Sequence, residues 1–321
     1  MKIVVLDGYT LNPGDLNWEG ISQFGNLKVF DRTAYNDDAI LKNIGDADIV
    51  FTNKTPLNKS VLLQTPKLKY IGVLATGYNV VDVVAAKQQN ISVTNVPDYS
   101  SVAVAQFTMA LILELCHHIG SHHLAVKEGD WIKSKDFSFW NYPLIELAGK
   151  TLGIIGFGKI GKATAKLAEA FGMHILVYNR TVYSEFESDT LKFVSLNHLL
   201  QTSDFISLHC PLTTETEHII NASSLTQMKP NAFLINTARG PLVHEHDLAK
   251  ALNGEKIAGA ALDVVSAEPM AANNPLLTAK NCIITPHIAW APKEARERLM
   301  QTTIDNLKGF IEGAPLNVVN M

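Results

Sequence analysis

The chain has 321 residues, which suggests about two domains, and 47% of the residues are hydrophobic, enough for large cores. A formal charge of −4 and a pI near 6.3 do not favour a nucleic-acid or anionic-membrane partner. The three cysteines lie far apart and form no Cys-x-x-Cys motif, so we expect free thiols and a cytoplasmic location. The start of the chain predicts a short strand rather than a signal peptide, and no apolar run has the length of a membrane span.

Residues 1–100 alternate strand and helix patterns, which predicts an open, mostly parallel sheet with helices on both faces. Ligands of such sheets bind beyond the carboxyl ends of the strands, so the loop of residues 75–79 is a candidate substrate loop; a simple connecting turn is the alternative. Strands are predicted at 2–6, 27–30, 49–52, 70–74 and 92–94, and helices at 37–44, 59–64 and 82–89.

A long apolar helix is predicted over residues 102–118, where the chain crosses between two domains. His118 and His122 follow with a spacing of four, which could place two metal ligands on one helix face. No further ligand pattern accompanies them and histidines suit the dipole at a helix end, so we expect no metal. The aromatic segment 130–143 should pack or line a pocket, and Trp140 is its most notable residue.

A glycine-rich turn follows an apolar run at residues 152–155, with Gly156, Gly158 and Gly161 spaced as Gly-x-Gly-x-x-Gly. In a dinucleotide-binding turn the first glycine permits a sharp bend, the second lets the backbone approach a diphosphate, and the third lets the helix pack on the strand. The diphosphate then meets N–H groups at the positive end of the helix. The motif alone is a weak signal, but a helical pattern and a second strand at 174–178 follow it, so we predict a dinucleotide site.

The end of that second strand usually carries an acidic residue that binds the ribose hydroxyls. This chain has Asn179 there, followed by Arg180. An asparagine can bind a ribose hydroxyl without repelling a 2′-phosphate, and Arg180 could pair with that phosphate. Alternatively, Arg180 stacks on the adenine and discriminates little. The predicted cofactor is NAD or NADP, with NAD favoured.

Arg239, Glu268 and His287 each follow one of the last three predicted strands, where a parallel sheet would bring them to one edge. An arginine can clamp a substrate carboxylate, a histidine can exchange the hydroxyl proton, and a glutamate can orient that histidine. Considered alone, an arginine or a glutamate is more commonly part of a surface ion pair, and a histidine more commonly has a structural role. Together the three residues suit hydride transfer to a 2-oxo acid. The strands of this second doubly wound domain are predicted at 205–208, 232–236, 259–262 and 282–285, and its later helices at 196–201, 222–227, 245–253 and 292–312.

These stretches together resemble the D-2-hydroxyacid dehydrogenase family over essentially the full length of the chain. The resemblance is strongest in the segments 75–82, 95–100, 156–161, 209–213, 236–243 and 263–269 and at His287. Within the family, the segments 139–143 and 285–291 look most like those of glycerate dehydrogenases, also called hydroxypyruvate reductases. A frequent aspartate is replaced here by Asn179, which leaves the choice of cofactor open.

The resemblance implies that Arg239 binds the substrate carboxylate and carbonyl, that His287 is the acid/base and that Glu268 is its partner. It places Thr76 and Gly77 at the substrate carboxylate. The residues implied to contact the cofactor are Gly156, Gly158, Lys159, Ile160, Gly161, Asn179, Arg180, His209, Cys210, Pro211, Thr237, Ala238 and Asp263.

The implied fold is an α/β architecture of two doubly wound parallel-sheet domains. A Rossmann nucleotide-binding domain of residues 99–286 is inserted in a flavodoxin-like substrate domain of residues 1–98 and 287–321. A homodimer built around the nucleotide domains is also implied, with a small 2-oxo or 2-hydroxy acid as substrate and no nucleic-acid or membrane partner.

The implied function is reduction of hydroxypyruvate to D-glycerate with NAD(P)H, with glyoxylate also accepted. Another 2-oxo-acid reductase, such as a D-lactate dehydrogenase, is the enzyme alternative. A nucleotide-sensing protein of the corepressor type is the alternative without catalysis.

Overall fold

The computed structural model describes residues 1–320. The chain forms two compact units: unit 1 contains Met1–Ser100 and the segment from Ala291 onward, and unit 2 contains Ser101–Trp290. Each unit is built on one parallel sheet. The prediction of an α/β fold with two doubly wound parallel sheets is confirmed.

Unit 1 holds a five-stranded sheet in the order β2-β1-β3-β4-β5, with all pairs parallel. The central strands β3 and β4 are buried along their whole length, as their continuous apolar runs require. The strands are β1 (Lys2–Val5), β2 (Asn26–Val29), β3 (Ile49–Thr52), β4 (Tyr70–Val73) and β5 (Ser92–Thr94). The helices between them are α1 (Glu19–Ser22), α2 (Asp37–Ile44), α3 (Lys59–Leu63) and α4 (Val83–Gln88).

Unit 2 holds a seven-stranded parallel sheet with helices on both faces. Its strands are β6 (Thr151–Ile155), β7 (His174–Tyr178), β8 (Leu191–Phe193), β9 (Phe205–Leu208), β10 (Phe233–Asn236), β11 (Gly259–Leu262) and β12 (Cys282–Ile284), in the order β12-β11-β10-β9-β6-β7-β8. Its helices are α5 (Ser101–His117), α6 (Ile119–Lys127), α7 (Asp130–Lys133), α8 (Lys159–Ala170), α9 (Leu196–Thr202), α10 (Ala222–Gln227) and α11 (Glu245–Asn253). Helices α5 and α8 line the core on one face, and α9, α10 and α11 line the core on the other.

The register of the unit 2 sheet aligns the carboxyl ends of its strands. Ile155 of β6 pairs with Leu208 of β9, and Asn236 of β10 pairs with both Leu208 and Leu262. Leu262 in turn pairs with Ile284 of β12. The order of strands reverses between β6 and β9, which is where doubly wound sheets bind ligands. The loops that follow β6, β9, β10, β11 and β12 therefore begin at one edge of this sheet.

The last helix, α12 (Lys293–Ile311), belongs to unit 1. Arg296 of this helix is buried and donates two hydrogen bonds of 2.7 Å to the Asp15 carboxylate, one to each oxygen. The hydrogen bond and charge of Arg296 hold the pKa of Asp15 below its usual value. Such two-pronged pairs fix geometry as well as charge, so α12 is tied to the loop after β1.

The predicted strands and helices are all present, with ends that shift by at most one residue. Four short elements were not predicted: α1, α6, α7 and β8. The helix predicted to end at residue 118 ends at His117, because His118 adopts a left-handed conformation (φ +47°) that interrupts it. No single helix within residues 1–320 is both long and apolar enough to cross a membrane; α5 and α6, bent by 54°, pass that test as a pair by length and composition alone.

Candidate active site

The three glycines of the turn after β6 have different surroundings. Gly156 has φ +97°, and a Cβ there would press on the backbone of Cys210. A Cβ at Gly161 would overlap the carbonyl oxygen of Gly156. Beside Gly158, by contrast, a Cβ would meet no atom within 4 Å. Two glycines thus close the turn onto its own backbone, and the middle one faces open space.

Helix α8 begins at Lys159, directly after this turn, and no side chain caps its first residues. The amino end of a helix carries partial positive charge and N–H groups that point outward. A diphosphate could therefore enter the open space beside Gly158 and meet the start of α8. The residues present at this turn fit the diphosphate of a dinucleotide.

Asn179, at the end of β7, uses both ends of its amide within the protein. Its Oδ1 accepts a hydrogen bond of 2.9 Å from the N–H of Phe157, inside the glycine turn. Its Nδ2 donates one of 2.7 Å to the carbonyl oxygen of Thr181. The side chain predicted to bind the ribose therefore joins the glycine turn to the segment that follows β7.

Arg180 lies exposed beside Asn179. The positive charge of Arg180 acts on Glu215. The pKa of Glu215 is lowered first by a hydrogen bond from Thr213 and, to a smaller extent, by this charge. The Thr213 hydroxyl donates to the Glu215 carboxylate at 2.6 Å. The guanidinium thus lies where it could reach an anionic group near the end of β7.

His209 and Cys210 follow β9 and border the glycine turn. Nε2 of His209 is 2.9 Å from the Ser207 hydroxyl, and burial lowers the pKa of this histidine to about 4. Burial also raises the pKa of the Cys210 thiol to about 11. Both side chains are therefore neutral near pH 7, and the thiol is not a nucleophile. Pro211 continues this loop and is exposed.

The turn that carries Arg239 is held by the buried side chain of Asn236. Its Oδ1 accepts the N–H of Ala238 at 3.0 Å, and its Nδ2 donates to the carbonyl of Arg239 at 2.8 Å. The hydroxyl of Thr237 lies 3.0 Å from that of Thr108 on α5. The Arg239 guanidinium is exposed and donates to the Ala238 carbonyl at 2.7 Å. A rigid turn therefore presents an accessible guanidinium.

Glu268 and His287 form a hydrogen-bonded pair in which Nδ1 of the imidazole lies 2.6 Å from a carboxylate oxygen. The N–H of Val265 donates to the other carboxylate oxygen at 3.3 Å. About a third of each of the two side chains is exposed, 30% for His287 and 34% for Glu268. The carboxylate fixes the orientation of the ring, so Nε2 is the nitrogen that can exchange a proton with a ligand.

The backbone of His287 adopts a left-handed conformation, with φ +55°. Its N–H donates to the carbonyl of Thr285 at 3.0 Å, and its own carbonyl accepts the indole N–H of Trp290 at 2.9 Å. A residue other than glycine adopts this conformation only where its surroundings hold it there. Trp290 is one of those holding groups.

Asp263 is buried beneath the same segment. Its carboxylate accepts the Thr285 hydroxyl at 2.7 Å and the backbone N–H groups of Ile288 and Ala289, each at 2.9 Å. The family resemblance implied that Asp263 contacts the cofactor. In the structure its hydrogen bonds go to the residues on both sides of His287.

Thr76 and Gly77 lie in unit 1, in the loop after β4. The Thr76 hydroxyl donates to the carbonyl of Val96 at 2.9 Å, and the Thr76 carbonyl accepts from the Asn95 side chain at 2.7 Å. The loop is thus held in place from two sides. The predicted role of Thr76 and Gly77 at the substrate carboxylate stays a prediction.

The histidines at residues 118 and 122 pack with aromatic residues. His122 Nε2 accepts the N–H of Asn141 at 3.1 Å, and its Nδ1 lies 2.9 Å from the carbonyl of His118. The ring of His118 stacks on Tyr142 at 4.4 Å between centroids. Among residues 1–320, no group of three or more histidine, cysteine or acidic side chains could hold a metal ion. Trp140 lies exposed in the same segment.

Thr285 and Asn236 position the candidate catalytic residues but were not singled out from the sequence. Each lies at the end of a predicted strand, two or three residues before His287 or Arg239. A polar residue that ends an otherwise apolar strand at the ligand-binding edge is the signal that could have identified them.

Comparison with known proteins agrees with this geometry. The family model described as "D-isomer specific 2-hydroxyacid dehydrogenase, NAD binding domain" matches residues 109–289. The chain is 54% identical over 321 residues to a hydroxypyruvate reductase of Blautia hydrogenotrophica, covering 100% of both chains. It is 43% identical over 320 residues to a glycerate dehydrogenase of Methylorubrum extorquens, covering 99% of this chain and 98% of that one.

A solved structure of an acyclic imino acid reductase in complex with NADPH and D-Arg is similar to this chain, with a TM-score of 0.85, 31% identity and coverage of 99% of this chain and 100% of that one. The fold and the comparisons together define a class of proteins, the NAD(P)-dependent oxidoreductases that act on a CH–OH group. The chain belongs to the D-isomer specific 2-hydroxyacid dehydrogenase family.

Replacing Gly158 by alanine should weaken cofactor binding and leave the fold intact. The backbone at this position (φ −76°, ψ −165°) suits alanine, and the methyl group would enter the open space that a diphosphate needs. We expect the dissociation constant of NADH or NADPH to rise about tenfold or more, about 1.4 kcal/mol, with an unchanged melting temperature. Calorimetric titration and thermal unfolding measure the two quantities.

The matched control is Gly161→Ala, whose methyl group would overlap the Gly156 carbonyl and should lower the melting temperature. A Gly158→Ala protein that binds both cofactors as tightly as the unchanged protein would contradict the proposed diphosphate position.

Replacing Asp263 by asparagine should destabilise the segment around His287. The Asp263 carboxylate accepts from the Thr285 hydroxyl and from the N–H groups of Ile288 and Ala289. The N–H₂ group of an asparagine would face one of the two N–H groups and leave that donor without an acceptor, which costs about 1–3 kcal/mol of unfolding free energy. Urea unfolding measures this loss. The same substitution at the exposed Asp189 is the control and should have no effect; equal stability of both variants would show that the buried carboxylate is not needed.

Proposed function

We propose that the protein reduces hydroxypyruvate to D-glycerate with NADH or NADPH and that it also accepts glyoxylate, a smaller 2-oxo acid. The observation that carries this proposal is the hydrogen-bonded contact of 2.6 Å between Glu268 and His287. It lies at the sheet edge where the glycine turn and the Arg239 turn also begin. Family membership and the identity to a relative named hydroxypyruvate reductase support the choice of substrate.

The proposed mechanism assigns the proton to His287. When bound, the reduced nicotinamide cofactor supplies a hydride to the carbonyl carbon of the 2-oxo acid. His287 donates the proton of Nε2 to the carbonyl oxygen, which completes the hydroxyl group of the product. Glu268 keeps Nδ1 hydrogen-bonded and stabilises the imidazolium before the transfer.

Arg239 is proposed to bind the carboxylate of the substrate and to polarise its carbonyl group. Its guanidinium is exposed on a rigid turn, and its planar donor pattern matches a carboxylate in two-pronged fashion. Thr76 and Gly77 are proposed to hold the same carboxylate through the backbone. Unit 1 would thereby be the substrate domain and unit 2 the nucleotide domain.

The proposed cofactor contacts are those that the family resemblance implies, except that the role at the ribose moves from Asn179 to Arg180. The diphosphate is assigned to Gly158, Lys159 and Ile160, at the start of α8. Because the amide of Asn179 is already engaged, Arg180 is the side chain we assign to the adenosine ribose and to a 2′-phosphate. Thr237 and Asp263 are assigned to the nicotinamide side, and Ala238 stays among the proposed cofactor contacts.

A homodimer is proposed through the apolar surface of residues 119–144, which we call the α6–α7 surface. Several of its large side chains are exposed, among them Ile132 at 89% and Phe137 at 91%. Beside it lies an open groove of about 460 Å³ lined by Leu113, Leu144 and Phe171 among others. Exposed apolar side chains clustered in one segment commonly mark protein interfaces. The free cysteines fit the proposed cytoplasmic location.

The test of function is a matrix of initial rates in which NADH and NADPH are each combined with hydroxypyruvate, glyoxylate and pyruvate. We expect the highest kcat/KM with hydroxypyruvate. A preference for pyruvate would favour a D-lactate dehydrogenase, and cofactor binding without oxidation of cofactor by any of the three acids would favour a nucleotide-sensing protein.

His287→Ala should lower kcat by about 10²–10⁴-fold, because the proton donor is removed. The dissociation constant of the cofactor should stay unchanged. Steady-state rates and cofactor titration measure the two effects. His198→Ala, on the exposed face of α9, is the control, and near-normal turnover of His287→Ala would refute the acid/base role.

Introducing charge on the α6–α7 surface should produce monomers. Sedimentation velocity should give twice the chain mass of 35.2 kDa for the unchanged protein and the single-chain mass for the double variant Ile132→Glu, Phe137→Glu. Val84→Glu, at an exposed apolar position of unit 1, is the control and should remain dimeric. A monomeric unchanged protein at micromolar concentration would refute the dimer.

A further inference from the structure

Glu245, the first residue of α11, binds the loop of residues 263–274, which we call the Glu268 loop. One oxygen of its carboxylate accepts the N–H of Ser266 at 2.7 Å. The other accepts the side-chain N–H₂ of Asn274 at 2.9 Å. Ser266 lies two residues before Glu268, and Asn274 closes the loop. A single carboxylate therefore fastens the loop at two points on either side of Glu268.

The Glu268 loop also touches the turn that carries Arg239. A Cβ at Gly240 would overlap the carbonyl group of Val265, so the two backbones are in direct contact. Helix α11 starts five residues after Gly240, which places Glu245 directly downstream of the same turn. The Arg239 turn, the start of α11 and the Glu268 loop thus form one connected piece.

The position of the loop determines where the Glu268 carboxylate lies. The Val265 N–H of the same loop donates to one oxygen at 3.3 Å, and the other oxygen lies 2.6 Å from Nδ1 of His287. A displacement of Ser266 would move both Val265 and Glu268. Because misplacing a catalytic group by about 1 Å can cost about 10²-fold in rate, a small shift would be measurable.

The two hydrogen bonds of Glu245 are of the strong kind. Bonds to an ionised acceptor are shorter and stronger than those between neutral groups. A first-turn glutamate would be favourable for α11 without them, through the helix dipole alone. The side chain instead reaches out of its helix and is half-buried against the loop.

We infer that Glu245 is a positioning residue for the reaction, which holds the Glu268 loop so that the Glu268 carboxylate stays on Nδ1 of His287. This inference rests on the proposed roles of Glu268 and His287. Glu245 itself does not touch substrate or cofactor; it acts through Ser266 and Asn274.

The test reverses donor and acceptor in the hydrogen bond between residues 245 and 274. In Glu245→Gln, the amide oxygen can still accept from Ser266, but the amide N–H₂ faces the N–H₂ of Asn274. In Glu245→Gln, Asn274→Asp, the glutamine can donate to the new carboxylate, and the other aspartate oxygen can accept the Leu276 N–H as Asn274 does now at 3.0 Å. The double variant restores every bond and the net charge.

We expect Glu245→Gln to lower kcat about tenfold or more, with the dissociation constant of the cofactor changed less than about twofold. Asn274→Asp alone should be impaired as well, because two carboxylates then face each other. The double variant should recover kcat to within about threefold of the unchanged protein, a coupling that independent sites do not show. Hydrogen exchange of peptides covering residues 264–274 should rise in the single variants and return in the double variant.

The control is Glu255→Gln, which removes the charge of an exposed glutamate that pairs with Lys280 at 2.9 Å. It should leave kcat unchanged. Unchanged kcat in Glu245→Gln, or failure of the double variant to recover while it is folded by circular dichroism, would overturn the inference. The unchanged protein is assayed first. If it reduces none of the 2-oxo acids, the proposed function fails. If it is active and Glu245→Gln has the same kcat, only the positioning role of Glu245 is refuted.

Discussion

The imidazole of His287 has to be held in one orientation by a backbone that is neither helical nor extended. A left-handed conformation at a residue with a side chain costs about 1–3 kcal/mol, and φ of His287 is +55°. The surrounding bonds offset this cost: Trp290 binds the carbonyl of His287, and Asp263 binds the N–H groups of the next two residues. The ring is therefore fixed from its backbone as well as from Glu268. Preorganisation of this kind means that little rearrangement is required when a substrate binds.

This arrangement depends on the register of the sheet. Because Leu262 of β11 pairs with Ile284 of β12, the next residues along the two strands, Asp263 and Thr285, emerge side by side. A slip of one residue would turn the Asp263 carboxylate to the other face of the sheet and leave the His287 segment without its acceptor. Strands β10 and β11 are buried along their whole length and apolar except for Asn236, which makes such a slip costly. The core of unit 2 thus sets the geometry of the site as well as the stability of the fold.

Sequence patterns were sufficient for the fold class and for the proximity of Glu268 to His287, because apolar runs identify buried parallel strands and parallel strands end at a common edge. They were insufficient where a side chain finds a partner far away in sequence. Asn179 bonds to Phe157, 22 residues before it, and Asp263 bonds to residues more than 20 positions later. Periodicity carries no information on such bonds. The elements α1, α6, α7 and β8 were also missed; in the case of α6, the left-handed His118 separates it from α5 at a position with no glycine to mark the break.

The structure also changes the physical meaning of asparagine at the end of β7. A carboxylate at position 179 could accept the Phe157 N–H but could not donate to the Thr181 carbonyl, so the present turn after β7 requires an amide. The absence of an acidic residue is therefore tied to the shape of the segment that carries Arg180. If the amide stays in these two bonds when a cofactor binds, it contributes neither attraction nor repulsion to a 2′-phosphate. The proposed discrimination between NAD and NADP would then depend on charged groups outside this pair of bonds, with Arg180 as the proposed cation; the charge of Arg180 also acts, weakly, on Glu215.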